Sequence, residues 1–121
     1  MSKIELDKTD RKILEILQAD LETGTWPLAG RHFSGIVVTD YLHRPLFPAL
    51  LDALSPGGTL IYETYALGQE KFGRPARPEF LLRPGELLEL TNGRFHVVAY
   101  EDLIIEMPYT KRVQRIAATK K

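Results

Sequence analysis

Ser34-Gly-Ile-Val-Val-Thr-Asp40, then Leu46 to Leu54, then Ser55-Pro-Gly-Gly58 and Thr59-Leu-Ile-Tyr-Glu-Thr-Tyr65, decide the fold of this chain. Ile36, Val37 and Val38 are consecutive β-branched residues, the composition of a strand buried on both faces. Leu46 to Leu54 reads as a short helix. Pro45 restricts the chain before it, and Pro48 is tolerated only in its first turn. The Ser-Pro-Gly-Gly turn stops that helix and feeds the second strand, Thr59 to Tyr65. A helix between two such strands implies a parallel pair joined by a right-handed crossover. The class is therefore α/β. Nothing before Ser34 reads as the first half of a doubly wound sheet, so a cofactor domain cut through its middle is the expectation.

Beyond the second strand, Ala66 to Arg83 carries Gly73, Pro75, Pro78 and several charges, and reads as a long loop of the kind that often bears function. Pro84 opens a helix through Leu90, which Asn92-Gly93 closes. Arg94 to Ile105 and Arg112 to Thr119 read as strands joined by Met107-Pro-Tyr-Thr110. So short a connection makes them antiparallel. Lys120 and Lys121 read as a frayed, solvated end. Upstream, Asp7 caps a helix from Lys8 to Gln18, with Ile13, Leu14 and Leu17 as its apolar stripe, widened by Ile16.

The 121 residues suffice for one modest core, and 44% hydrophobic content excludes disorder. Lys plus Arg is 16 and Asp plus Glu is 16, so no global field draws in nucleic acid or an anionic membrane. Zero net charge also leaves self-association weakly opposed. With no Cys, no apolar run of transmembrane length and no signal-peptide pattern, a cytoplasmic location is expected. His32, His43 and His96 are not at metal-motif spacings, and no metal is expected.

From about Gln18 to Lys121 the chain resembles the C-terminal half of a class I S-adenosylmethionine-dependent methyltransferase. The resemblance is carried by Ala19-Asp-Leu-Glu22, Gly35-Ile-Val-Val-Thr-Asp-Tyr-Leu-His-Arg-Pro45, Leu54-Ser-Pro-Gly-Gly-Thr-Leu-Ile-Tyr-Glu63 and the terminal hairpin. It implies a partial Rossmann-like sheet, with Ile36 to Thr39 on the family's fourth strand and Leu60 to Glu63 on its fifth. It also implies S-adenosylmethionine as donor and a small-molecule acceptor. The family's glycine-rich donor loop has no counterpart, because Gly24 and Gly30 are isolated. The chain alone is therefore expected to be incomplete and inactive. A second resemblance lies in Leu6-Asp-Lys-Thr-Asp-Arg-Lys-Ile-Leu-Glu-Ile-Leu-Gln18, which is similar to the opening helix of the leucine-responsive/AsnC regulators. No base-reading helix follows it. Residues 1–18 thus read as a helical segment of separate origin, and 19–121 as the partial methyltransferase-like domain.

On the family pattern, Asp20 accepts from the adenine amino group and Leu21 supports the adenine face, while a plainer reading makes Asp20 the end of the N-terminal helix. Asp40 lies beside them on the donor side. Tyr41 and His43, at the carboxyl end of the first convincing strand, are the catalytic candidates, since open α/β sheets bind ligands there and imidazole suits proton transfer. The same residues read as a loop histidine and, for Asp40, a helix cap. Tyr62 and Tyr65 end the next strand and line the acceptor crevice, or simply pack. Arg74 and Arg77, with Lys71, Phe72 and Phe80, form a lid that meets an anionic acceptor, or an ordinary surface loop. Loss of the first strand of a parallel sheet leaves the fourth as an open edge, which predicts a homo-oligomer or an exchanged segment.

Overall fold

The computed structural model describes residues 30–121 in full, and residues 3–10 and 13–18 as backbone strands. In chain order the elements are β1 (Lys3–Asp10), β2 (Ile13–Gln18), β3 (Phe33–Thr39), α1 (Phe47–Asp52), β4 (Leu54–Tyr65), α2 (Glu86–Thr91), β5 (Phe95–Ile105) and β6 (Lys111–Lys120). They build one sheet in the order β2-β1-β3-β4-β6-β5.

β3 and β4 are parallel, with Ile36 opposite Leu60, Val37 opposite Ile61 and Val38 opposite Tyr62, and α1 lies in the connection between them. β6 joins β4 antiparallel, and β5 closes that side as the antiparallel partner of β6. This is the expected α/β order: a parallel pair with a crossover helix, then an antiparallel C-terminal pair.

The N-terminal helix expected over Lys8 to Gln18 is corrected by the structure. β1 and β2 pair antiparallel there, and β1 pairs antiparallel with β3. Helical spacing at Ile13, Leu14 and Leu17 competes with period-two alternation at Ile4-Glu5-Leu6-Asp7. The open groups of β3 resolve that competition by accepting a strand, because tertiary pairing outweighs a short helix's propensity. The helix on which the regulator resemblance rested is therefore not formed. The predicted open edge is covered too: β3 lies between β1 and β4, and the outer strands are β2 and β5.

Strand alternation divides the described side chains between two environments. Ile36, Val38, Leu60, Tyr62, Ile116 and Ala118 are buried on one face, against Leu50, Leu51 and Leu54 from the α1 region and Leu87 from α2. Among the described residues, no helix covers the other face. Val37 is half-buried and Ile61 is 45% exposed, so the β-branched run is covered on one side rather than two. The reason is that both described helices pack on the same face.

The Ser55 to Gly58 turn does not separate helix from strand. β4 begins at Leu54, and the ladder with β3 shifts register between Phe33/Leu54 and Gly35/Thr59. Gly57 takes φ +81°, and a Cβ on Gly58 would lie 2.8 Å from the Ser55 carbonyl oxygen, so glycine is what lets the strand fold over its own irregularity. Nor is the C-terminus frayed. Lys120 Nζ donates to the carbonyls of Leu51 and Leu54, each at 2.7 Å, and so caps the end of α1. Among the described residues no helix is long and apolar enough to cross a membrane.

Candidate functional site

The carboxyl ends of β3 and β4 lie side by side, which is where open α/β sheets place ligands. Past Thr39, the Asp40 N–H donates to the Glu63 carbonyl at 3.0 Å. Asp40 then takes φ +54°, a left-handed conformation that Asp tolerates better than most residues. This turn carries the chain over the sheet edge toward its helical face. Tyr41 packs against the core there, and its carbonyl accepts the Tyr62 hydroxyl at 2.7 Å. His43 is exposed, and its carbonyl accepts the Leu46 N–H at 3.0 Å, which opens the short 3-10 turn Arg44–Leu46.

Tyr62 and Tyr65 are not brought together. Three positions apart on one strand, they point to opposite faces. Tyr62 is 1% exposed and meets Phe47 edge-on at 6.0 Å. Burial drives its hydroxyl far above the ordinary tyrosine range. Tyr65 is half-buried on the face opposite the described helices, where its hydroxyl is pushed up to about 12, first by burial, then by a hydrogen bond with Tyr109, then by the Asp40 carboxylate. Lys111 Nζ lies 5.9 Å from the Tyr65 ring centroid and 5.5 Å from that of Tyr109.

Further along that face, Arg115 bridges Glu101 at 2.8 Å and Glu63 at 3.5 Å across three strands. With Ile61, Ala99 and Ala117 these groups line a shallow concavity of about 230 Å³. Tyr100 lines it as well, and its one cation is balanced by two carboxylates.

Arg74 and Arg77 are exposed on the connection between β4 and α2, with Arg77 paired to Glu79 at 2.8 Å. Lys71 is exposed as well, as are Phe72 and Phe80, at 42% and 45%. The connection itself is pinned. Gln69 is buried, accepts the Arg112 N–H at 2.8 Å and donates to the Arg74 carbonyl at 3.0 Å. Leu81 and Leu82 enter the buried set. Asp20 and Leu21, the adenine candidates, lie outside the described residues.

Sequence reasoning missed Tyr109 and Lys111, although the signal was present. An antiparallel return after Ile105 brings the hairpin tip back beside Tyr65, which β6 pairs through Val113. It also missed Arg44, whose guanidinium binds Glu86 through Nε at 2.7 Å and Nη2 at 2.8 Å. That link spans 42 residues, which no local pattern reveals.

The fold is shared with the crystal structure of TehB from Haemophilus influenzae at a TM-score of 0.60 and 17% sequence identity. The similarity covers 75% of this chain and 36% of that one, so the chain spans about a third of TehB. Comparison of the sequence with protein families and with curated proteins gave no match.

Proposed function

We propose that this chain is the acceptor-side part of an S-adenosylmethionine-dependent methyltransferase acting on a small molecule, with a donor site it does not complete alone. One observation carries the reading. The parallel β3–β4 pair, its crossover helix and the antiparallel β6–β5 pair follow the order of a methyltransferase-like fold, the fold also found in TehB. Asp40 belongs to the donor side, with Asp20 and Leu21 as its adenine contacts. His43 takes a proton from an acceptor heteroatom, and Tyr41 and Tyr65 flank the approach. Alignment and desolvation supply the rest of an in-line transfer from the sulfonium.

Titration with S-adenosylmethionine, followed by amide NMR, tests the reading. Shifts confined to Asp20 and Leu21, to Asp40 through His43 and to Tyr65, saturating only at roughly millimolar donor, are expected. No shifts at that concentration, or shifts elsewhere, would sink it. Saturation at micromolar donor would instead remove the incompleteness.

A second reading, self-association, is favoured by β5. It is an outer strand of 11 residues, with Val98 69% and Ile104 46% exposed. Acidic edge residues normally repel a second strand. Here Asp102 and Glu101 are neutralised by Arg112 and Arg115, each at 2.8 Å. A scattering mass that doubles with concentration, and stays monomeric in Val98→Lys, is the expected result. A monomer at every concentration rejects this reading.

A further inference from the structure

The carboxyl edge of the parallel pair already holds a cation. The Lys111 ammonium faces two phenol rings, Tyr65 at 5.9 Å and Tyr109 at 5.5 Å to the ring centroids. Ring faces are negative, and a cation within about 6 Å of the centroid is attracted to them. Two carboxylates lie at the same edge. Asp40 follows Thr39, the residue paired with Glu63 on the neighbouring strand. Both acids bear on the Tyr65 hydroxyl, after burial and its bond to Tyr109, and both act to raise it. The next cation along the strand, Arg112, is engaged elsewhere, with Asp102 at 2.8 Å. Tyr109 is 56% exposed, so the rings open to solvent.

We propose that Tyr65, Tyr109 and Asp40 form a subsite for an alkylated ammonium group, and that Lys111 occupies it until such a ligand displaces it. The lysine stem is flexible and its ammonium strongly hydrated, so it leaves for water readily. An alkylated ammonium is poorly hydrated and gains more from the ring faces than Lys111 does. Read with the proposed methyl transfer, on which its biochemical meaning rests, the subsite holds the alkylated ammonium formed when a small neutral amine takes the methyl group through its nitrogen lone pair.

Tetramethylammonium chloride is the probe, titrated into the full chain with no methyl donor and compared with sodium chloride at equal ionic strength. Lys111→Gln is expected to bind it at least fivefold more tightly than the unmodified chain, with NMR shifts centred on Tyr65 and Tyr109. Tyr109→Ala, at an exposed position, is expected to abolish binding in either background. Equal or weaker binding by Lys111→Gln, or the same shifts with sodium chloride, overturns the subsite. Because no donor is present, that failure would leave the methyl-transfer reading to its own titration.

Discussion

Glu86→Ala is expected to lower folding stability by about 3 kcal/mol at neutral pH, the lower end of the range for breaking a buried ion pair. Glu86 is 4% exposed and its carboxylate accepts three bonds: Arg44 Nε at 2.7 Å, Arg44 Nη2 at 2.8 Å and the Arg83 N–H at 2.9 Å. The lower end applies because the Arg44 side chain keeps 32% of its exposure and regains some water when its partner goes. Arg44 also donates to the carbonyls of Glu79 at 3.2 Å and Leu81 at 2.9 Å, so the pair ties the residues before α2 to the turn after His43. Burial alone would raise the Glu86 carboxyl, but the Arg44 hydrogen bond, the Arg83 N–H and both positive charges hold it below the ordinary carboxylate range. The sign of the pH effect follows. A depressed carboxylate contributes stability above its unfolded value of about 4.3, and that contribution is lost as pH falls through the folded value. Urea denaturation at neutral and acid pH should therefore show the variant's deficit shrinking in acid. A deficit unchanged by pH would refute the role of charge. A deficit under about 1 kcal/mol at neutrality would place the pair among ordinary surface bridges.

The parts of this fold that were readable are those in which local composition and final environment agree. Ile36-Val37-Val38 and Leu60-Ile61-Tyr62 are apolar, bounded by turn residues and too short for long helices, and they are the parallel pair. The last two strands were placed within a residue of their ends at Phe95–Ile105 and Lys111–Lys120. What failed depended on a distant partner. Lys3–Asp10 is a strand because β3 offers it an edge, and no window over residues 3–10 contains that fact. Ser55 to Gly58 carries the composition of a stop, yet the pairs on either side of it, Leu54 with Phe33 and Thr59 with Gly35, carry β4 through it. At the site, the strand ends were legible and the side-chain directions were underused. Period two alone separates Tyr62 from Tyr65. Lys120 looked like a solvated tail because its acceptors, the Leu51 and Leu54 carbonyls, lie 69 and 66 residues away.

Gln114→Leu is expected to cost about 2–4 kcal/mol, because it strips partners from two backbone groups at once. Gln114 is 0% exposed on β6; its Oε1 accepts the Leu87 N–H at 2.8 Å and its Nε2 donates to the Arg83 carbonyl at 3.0 Å. α2 has 6 residues, too few for independent stability, and Gly85 at its N-cap supplies no side-chain acceptor. Gln114 therefore does for this helix, from a neighbouring strand, what an N-cap side chain does locally. Leucine matches the volume and keeps the apolar contacts, so its cost isolates the hydrogen bonds from cavity formation. Hydrogen exchange at the Leu87 amide gives a local readout. Protection should fall there more than at Leu60 or Ile116, and undiminished protection at Leu87 would refute the capping role. The consequence reaches the site. Leu87 shares the buried cluster with Tyr62, and the Tyr62 hydroxyl holds the Tyr41 carbonyl at the carboxyl edge. If the edge is positioned through this chain of contacts, the variant's donor-induced shifts at Asp40 through His43 should weaken although Gln114 touches none of those residues.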